Sequence, residues 1–278
     1  MIEALFNSLS ASLNALSGGV ASRRLPAAVV VLVAALASAV LASTLVILQP
    51  VSPQAGGIII GAIAGVTGGA GIYLSYRALA EGPIGPVAAI IACTGVGLVS
   101  AVGLAQRGVL TPLHLAALAL CVVSVVMVSV RTLEHRVAPR TLIVAIGAGA
   151  VSGSFSILMD LTSPSDGWWP LFAVRLGVVA FAIPFALVMV RRRHSGRVHA
   201  PAWVWVIAAS AGVMDALGNM FLILALQSID LATLAIFAAI TPALTALLSV
   251  ILIREPITAV QTVGVGLAGL AIWLASIA

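Results

Sequence analysis

Apolar residues along this 278-residue chain come in blocks near 20 long, with scarcely a charge inside most of them. That is the length a helix needs to cross roughly 30 Å of hydrocarbon at ~1.5 Å per residue. Only helices or closed barrels satisfy their backbone in lipid, and these runs lack the apolar/polar alternation of barrel strands. The pattern predicts ten spans, at 2–22, 27–48, 57–80, 83–106, 111–130, 141–160, 167–190, 202–226, 231–253 and 257–277. Turn signals such as Gln49-Pro50, Gly82-Pro83, Thr111-Pro112 and Glu255-Pro256 separate them. The first span is the exception, because Asn7, Ser8, Ser10, Ser12, Asn14 and Ser17 make it too polar to face lipid all round. Such a helix either lies on the membrane interface or turns its polar stripe inward to line an aqueous cavity, and we prefer the second.

Composition agrees with the pattern: 62% of residues are hydrophobic, 8% are charged, and the mean hydropathy is +1.24. A soluble domain carries about a quarter charged residues. All 13 positive charges are Arg, and all but Arg175 are assigned to the connections between spans, which points to juxtamembrane charge and not to nucleic acid. The odd-numbered connections hold Arg23, Arg24, Arg77, Arg131, Arg136, Arg140, Arg191, Arg192, Arg193, Arg197 and Arg254, whereas the even-numbered ones hold Arg107. Positive residues in short loops stay cytoplasmic, so the odd connections are expected inside and both termini outside. Cys93 and Cys121 fall within apolar runs and read as packing residues, not as a disulfide or metal site. The five tryptophans cluster near span ends, as an interfacial belt would.

The chain also repeats itself. A shift of 147 residues lays spans 3–5 over spans 8–10 without a gap. Gly65 then meets Gly212, Gly71 meets Gly218, Thr94 meets Thr241, Arg107 meets Arg254 and Thr111 meets Thr258. Five spans per half is an odd number, so the halves must be inverted relative to each other, the architecture in which secondary transporters bind substrate near the midplane. The expected fold is therefore an all-α membrane protein of ten transmembrane helices in two inverted five-helix repeats. The halves cover 1–130 and 141–278, with a cytoplasmic linker at 131–140.

Charge inside a span is costly and usually faces a cavity or a partner. Arg175 in span 7 and Asp215 in span 8 lie roughly 12 Å and 16 Å from the outer ends of their helices, hence at similar depth. They could form an ion pair locking the two helices, or a site for substrate or proton, since a desolvated Asp can titrate. Asn219 follows Asp215 by one turn on the same face. With Tyr73 on span 3, Asn14 on span 1 and the repeat partners Thr94 and Thr241, these are the candidate substrate-binding residues. Pro242 and Pro86 interrupt or adjoin the backbone ladder of their spans and are candidate hinges. Small-residue runs such as Gly57/Gly61/Gly65 and Gly264/Gly266 with Ala268 suit close helix packing. No phosphate loop, metal-spaced cluster or nucleophile–base pair is visible, so neither an enzyme nor a cofactor is expected.

Several stretches resemble a known family. Residues 212–274, from "GVMDALGNMF" through Thr241-Pro242, Glu255 and Thr258 to a Gly-rich end, are similar to the last three helices of the EamA-type members of the drug/metabolite transporter superfamily. "FAVRLG" (172–177) is similar to the Arg-bearing stretch of their seventh helix, and "SGGVASRRLP" (17–26) to the end of their first. Thr94-Gly95 departs from the Thr-Pro pair found in the fourth helix of that family. Members are drawn with both termini inside, opposite to the arginine count. The resemblance implies a multi-pass protein of a bacterial inner membrane that transports a small organic solute, often by export. It leaves open a coupling proton and a monomer or dimer. A channel or a non-transporting membrane partner protein is the alternative.

Overall fold

The computed structural model describes residues 1–22, 24–81, 84–107, 112–129, 138–192, 200–248, 251–252 and 258–276. Most of the 131–140 linker, Arg254, Glu255 and Thr111 lie outside these residues, as do the side chains of Pro86 and Tyr76. The described chain runs α1 (Ile2–Ser22), α2 (Ala27–Leu48), α3 (Ala55–Glu81), α4 (Ile84–Arg107), α5 (Pro112–Ser129) and α6 (Pro139–Asp160). A 3-10 turn at Pro164–Asp166 leads to α7 (Trp169–Arg192), α8 (Ala202–Leu226), α9 (Leu231–Ala238), α10 (Thr241–Leu248) and α11 (Ala259–Ser276).

Among the described residues, five helices, α2, α3, α6, α7 and α8, are long and apolar enough to cross a membrane. The expected span at 231–253 is not one helix but two, α9 and α10, parted at Ala239–Ile240. The cause is Pro242: it offers no N–H to the carbonyl four residues back, that of Ala238, and its ring crowds that carbonyl. α9 is buried along nearly its whole length, from Leu231 to Phe237. Pro86, in contrast, stands in the first turn of α4, where a missing N–H costs the ladder nothing.

The helices pair across the halves. α1 lies on α8, α9 and α10, and α6 lies on α3 and α4; α2 packs on α7 and α8, α7 on α2 and α3, and α5 on α11. Exchanging the halves (α1 for α6, α2 for α7, α3 for α8, α4 for α9–α10, α5 for α11) turns each of these principal pairs into another of the set or, for α2–α7 and α5–α11, into itself. The ends of α2 show the inversion. At one end the α1–α2 link meets the start of α8, with the Arg24 guanidinium 5.5 Å from the centre of the Trp203 ring. At the other, the α2–α3 link meets the α6–α7 link, where Gln49 Oε1 accepts from the Trp168 N–H at 2.7 Å and the Trp169 indole donates to Val51 O at 2.9 Å. The α1–α2 link and its repeat counterpart, the α6–α7 link, thus lie at opposite ends of the bundle.

Glycines set how near the backbones come. A Cβ on Gly65 would collide with Val174 O of α7, and one on its repeat partner Gly212 would collide with Ala34 O of α2. Gly71 faces Ser152 of α6, while Gly218 faces Ser10 of α1. In lipid, where apolar area alone does not drive helices together, such backbone approach supplies the van der Waals contact. Gly57 and Gly61 pack as expected, against Asp166 and Pro170, but Gly266 opens onto empty space and plays no part in a crossing.

Candidate solute-binding site

The mid-span charges meet. Arg175 Nη1 pairs with Asp215 Oδ2, and Nη2 donates to the Asp215 backbone carbonyl at 3.3 Å. Asn14 Nδ2 donates to the other carboxylate oxygen, Oδ1, at 3.2 Å. Three helices therefore converge, α1 from the first half and α7 and α8 from the second. Exposure within the pair is unequal: the Arg175 side chain is 1% accessible and that of Asp215 is 28%. Arg175 Nε is buried without a partner. The guanidinium thus acts from behind the carboxylate, which keeps an open side, and the group presented outward is an acceptor whose charge is already compensated.

Pairing is what makes this burial tolerable. An isolated guanidinium away from water is strongly unfavourable, and removing one partner of a buried pair typically costs about 3–5 kcal/mol. The two readings of these residues, an ion pair and a polar site, describe the same atoms.

Other candidates are distributed around this cluster. Asn219 is half-buried one turn further along α8. Thr241 opens α10, where its carbonyl accepts from Ser12 Oγ at 3.0 Å and from Thr245 Oγ1 at 2.8 Å. Tyr73 stacks with Phe185 (centroids 4.6 Å apart) and meets Phe181 edge-on at 6.3 Å. Those rings lie six and ten residues beyond Arg175 on α7, roughly 9–15 Å along the helix. Thr94 belongs to a different crossing, its Cβ lying 2.7 Å from where a Cβ on Gly149 of α6 would stand. It stands where α4 packs on α6.

Comparison with known proteins fixes the family. The family model of the EamA-like transporter family matches residues 139–277, half of the chain. The chain belongs to the EamA-like transporter family. No curated protein sequence matches it. Twenty-nine chains of solved structures are similar, among them a crystal structure of a protein at 15% identity with a TM-score of 0.83. That alignment covers 99% of this chain and 96% of the other, and at this identity it speaks for the fold. This EamA-like protein is thus a multi-pass helical membrane protein of a transporter family.

The polar stripe of α1 differs from its expected place in this transporter. It does turn inward, but Ser8, Ser10 and Ser12 are 0%, 7% and 0% exposed and touch protein, not an open cavity. Ser8 Oγ donates to Phe237 O at 2.7 Å, Ser12 Oγ reaches Thr241 O, and Asn7 Nδ2 donates to Gly218 O at 2.8 Å. Sequence reasoning marked these residues as polar but gave them water for a partner.

Proposed function

We propose that this protein is a secondary transporter that moves a small organic solute, by export, through alternating access between its two inverted halves, 1–130 and 141–278. The observation that carries the reading is the Arg175–Asp215–Asn14 cluster. It gathers helices from both halves at mid-span and leaves the Asp215 carboxylate open on one side. A solute with hydrogen-bond donors can bind that carboxylate and the neighbouring Asn14 and Asn219, with Arg175 holding the acid in place. The same carboxylate is the candidate carrier of a coupling proton. The arginine count supports a cytoplasmic 131–140 linker and outward termini, in a bacterial inner membrane.

The test is a transport screen in proteoliposomes with and without an imposed proton gradient, using parent protein and Asp215→Asn matched by size-exclusion profile. Parent vesicles are expected to move at least one small organic solute, and the variant to lose that flux about tenfold or to lose its pH dependence. Equal flux in both proteins across a range of pH removes Asp215 from the mechanism. A current through parent vesicles with no saturable solute would instead indicate a channel.

A further inference from the structure

At the break in span 9, α1 adds side-chain bonds to the backbone on either side of the interruption. Ser8 Oγ donates to Phe237 O and Ser12 Oγ to Thr241 O, so two hydroxyls one turn apart on α1 grip carbonyls on both sides of Ala239–Ile240. Each of these groups also has a second partner close by. Ser12 Oγ lies 2.7 Å from Ser8 O of its own helix, yet a hydroxyl has one proton to donate. Thr241 O also accepts from Thr245 Oγ1 at 2.8 Å. Phe237 O also accepts from the Ile240 N–H at 3.1 Å. Ser8 can turn back to a carbonyl of its own helix, the usual local alternative for a helical serine.

Separating α1 from α9 and α10 therefore strands no buried donor or acceptor, which is the expense that normally holds such a contact shut. We propose that Ser8 and Ser12 form a reversible latch that positions the broken span against α1, closed in the state seen here and released when the transporter changes access. The proposal rests on the alternating-access reading given above. The two hydroxyls are positioning residues: they bear on the gate through the backbone of α9 and α10 and not through the solute.

The test does not need the solute. Amide hydrogen–deuterium exchange of the full-length protein in detergent is followed in peptides covering 231–248, for parent, Ser8→Ala/Ser12→Ala, Ser8→Thr/Ser12→Thr, and Ser124→Ala. The last removes a hydroxyl that ties α5 to Gly264 O of α11 at 2.7 Å, away from the break. Losing both latch bonds is expected to raise exchange in 231–248 about tenfold, with the thermal midpoint unchanged. The threonine pair, which retains both hydroxyls, should exchange like the parent, and Ser124→Ala should leave this segment as it was. Unchanged exchange in the double alanine variant overturns the latch, as does a rise spread over all helices with a lower midpoint, or no rescue by threonine. None of these outcomes bears on whether the protein transports, which the vesicle screen decides separately.

Discussion

The two repeat-related crossings, α6 over α4 and α1 over α9–α10, solve one packing problem in different ways. In the first, α4 runs unbroken through Gly95, and glycines bring the backbones together. A Cβ on Gly153 would stand 2.9 Å from Gly95 O, and one on Gly95 would stand 3.1 Å from Gly149 O. In the second, the residue that takes the place of Gly95 is Pro242, the helix splits, and serines on α1 bond the carbonyls around the split. An intact ladder needs no outside donors, so small residues and contact area suffice. Around the split, the serine hydroxyls add second bonds to carbonyls that already have a donor, and such bonds can be made and released. Charge follows the same division: the 147-residue shift carries Asp215 onto Gly68, so the ion pair has no copy in the first half.

The sharpest way to break this asymmetry is to make the second half resemble the first. Asp215→Gly strands Arg175 where it is almost fully buried, and a loss of about 3–5 kcal/mol is expected in detergent unfolding. Adding Arg175→Met should recover most of that stability while transport stays lost. If the single variant is as stable as the parent, the pair is not what keeps Arg175 in place. Next in size is Gly149→Ala, which drives a methyl against Ile91 O and Thr94 and should cost about 1–3 kcal/mol, read as a lower thermal midpoint. A silent substitution there would mean that the α4–α6 crossing is as adjustable as its counterpart. The smallest effect on stability is expected from Pro242→Ala, which returns an N–H to the ladder and should change unfolding by no more than about 1 kcal/mol in either direction. Solute flux should nonetheless fall; undiminished flux would separate the break from the transport cycle.

Much of the fold is legible in the sequence because lipid imposes a strict length on each apolar run, and because an odd number of spans per half forces inversion. Arg175 and Asp215 could be paired in advance, since each is intolerable alone and their depths match. The rest depended on tertiary facts that periodicity does not carry. Thr94 looked like a site residue through its partner Thr241, but it stands where α4 packs on α6, beside Gly149, 55 positions away in the sequence. The α1 serines looked wet because nothing in their own segment says which carbonyls of other helices lie within reach. Gly266 matched a small-residue run, yet a glycine shows only that a neighbour could come close, not that one does.

The join between the α2–α3 and α6–α7 links constrains how the halves can move. Asp166 closes the 3-10 turn by accepting from the Ser163 N–H at 2.8 Å and packs on Gly57, while Gly167 takes the left-handed conformation (φ 56°) beside the Gln49 side chain. With Gln49 on Trp168 and Trp169 on Val51, both repeats are fastened at this rim by a side chain of each bonded to the backbone of the other. On the alternating-access reading proposed above, the molecule is built like a book with a sewn spine: pages would fan at the far edge, whereas parting the covers along their whole height would mean cutting every stitch at once.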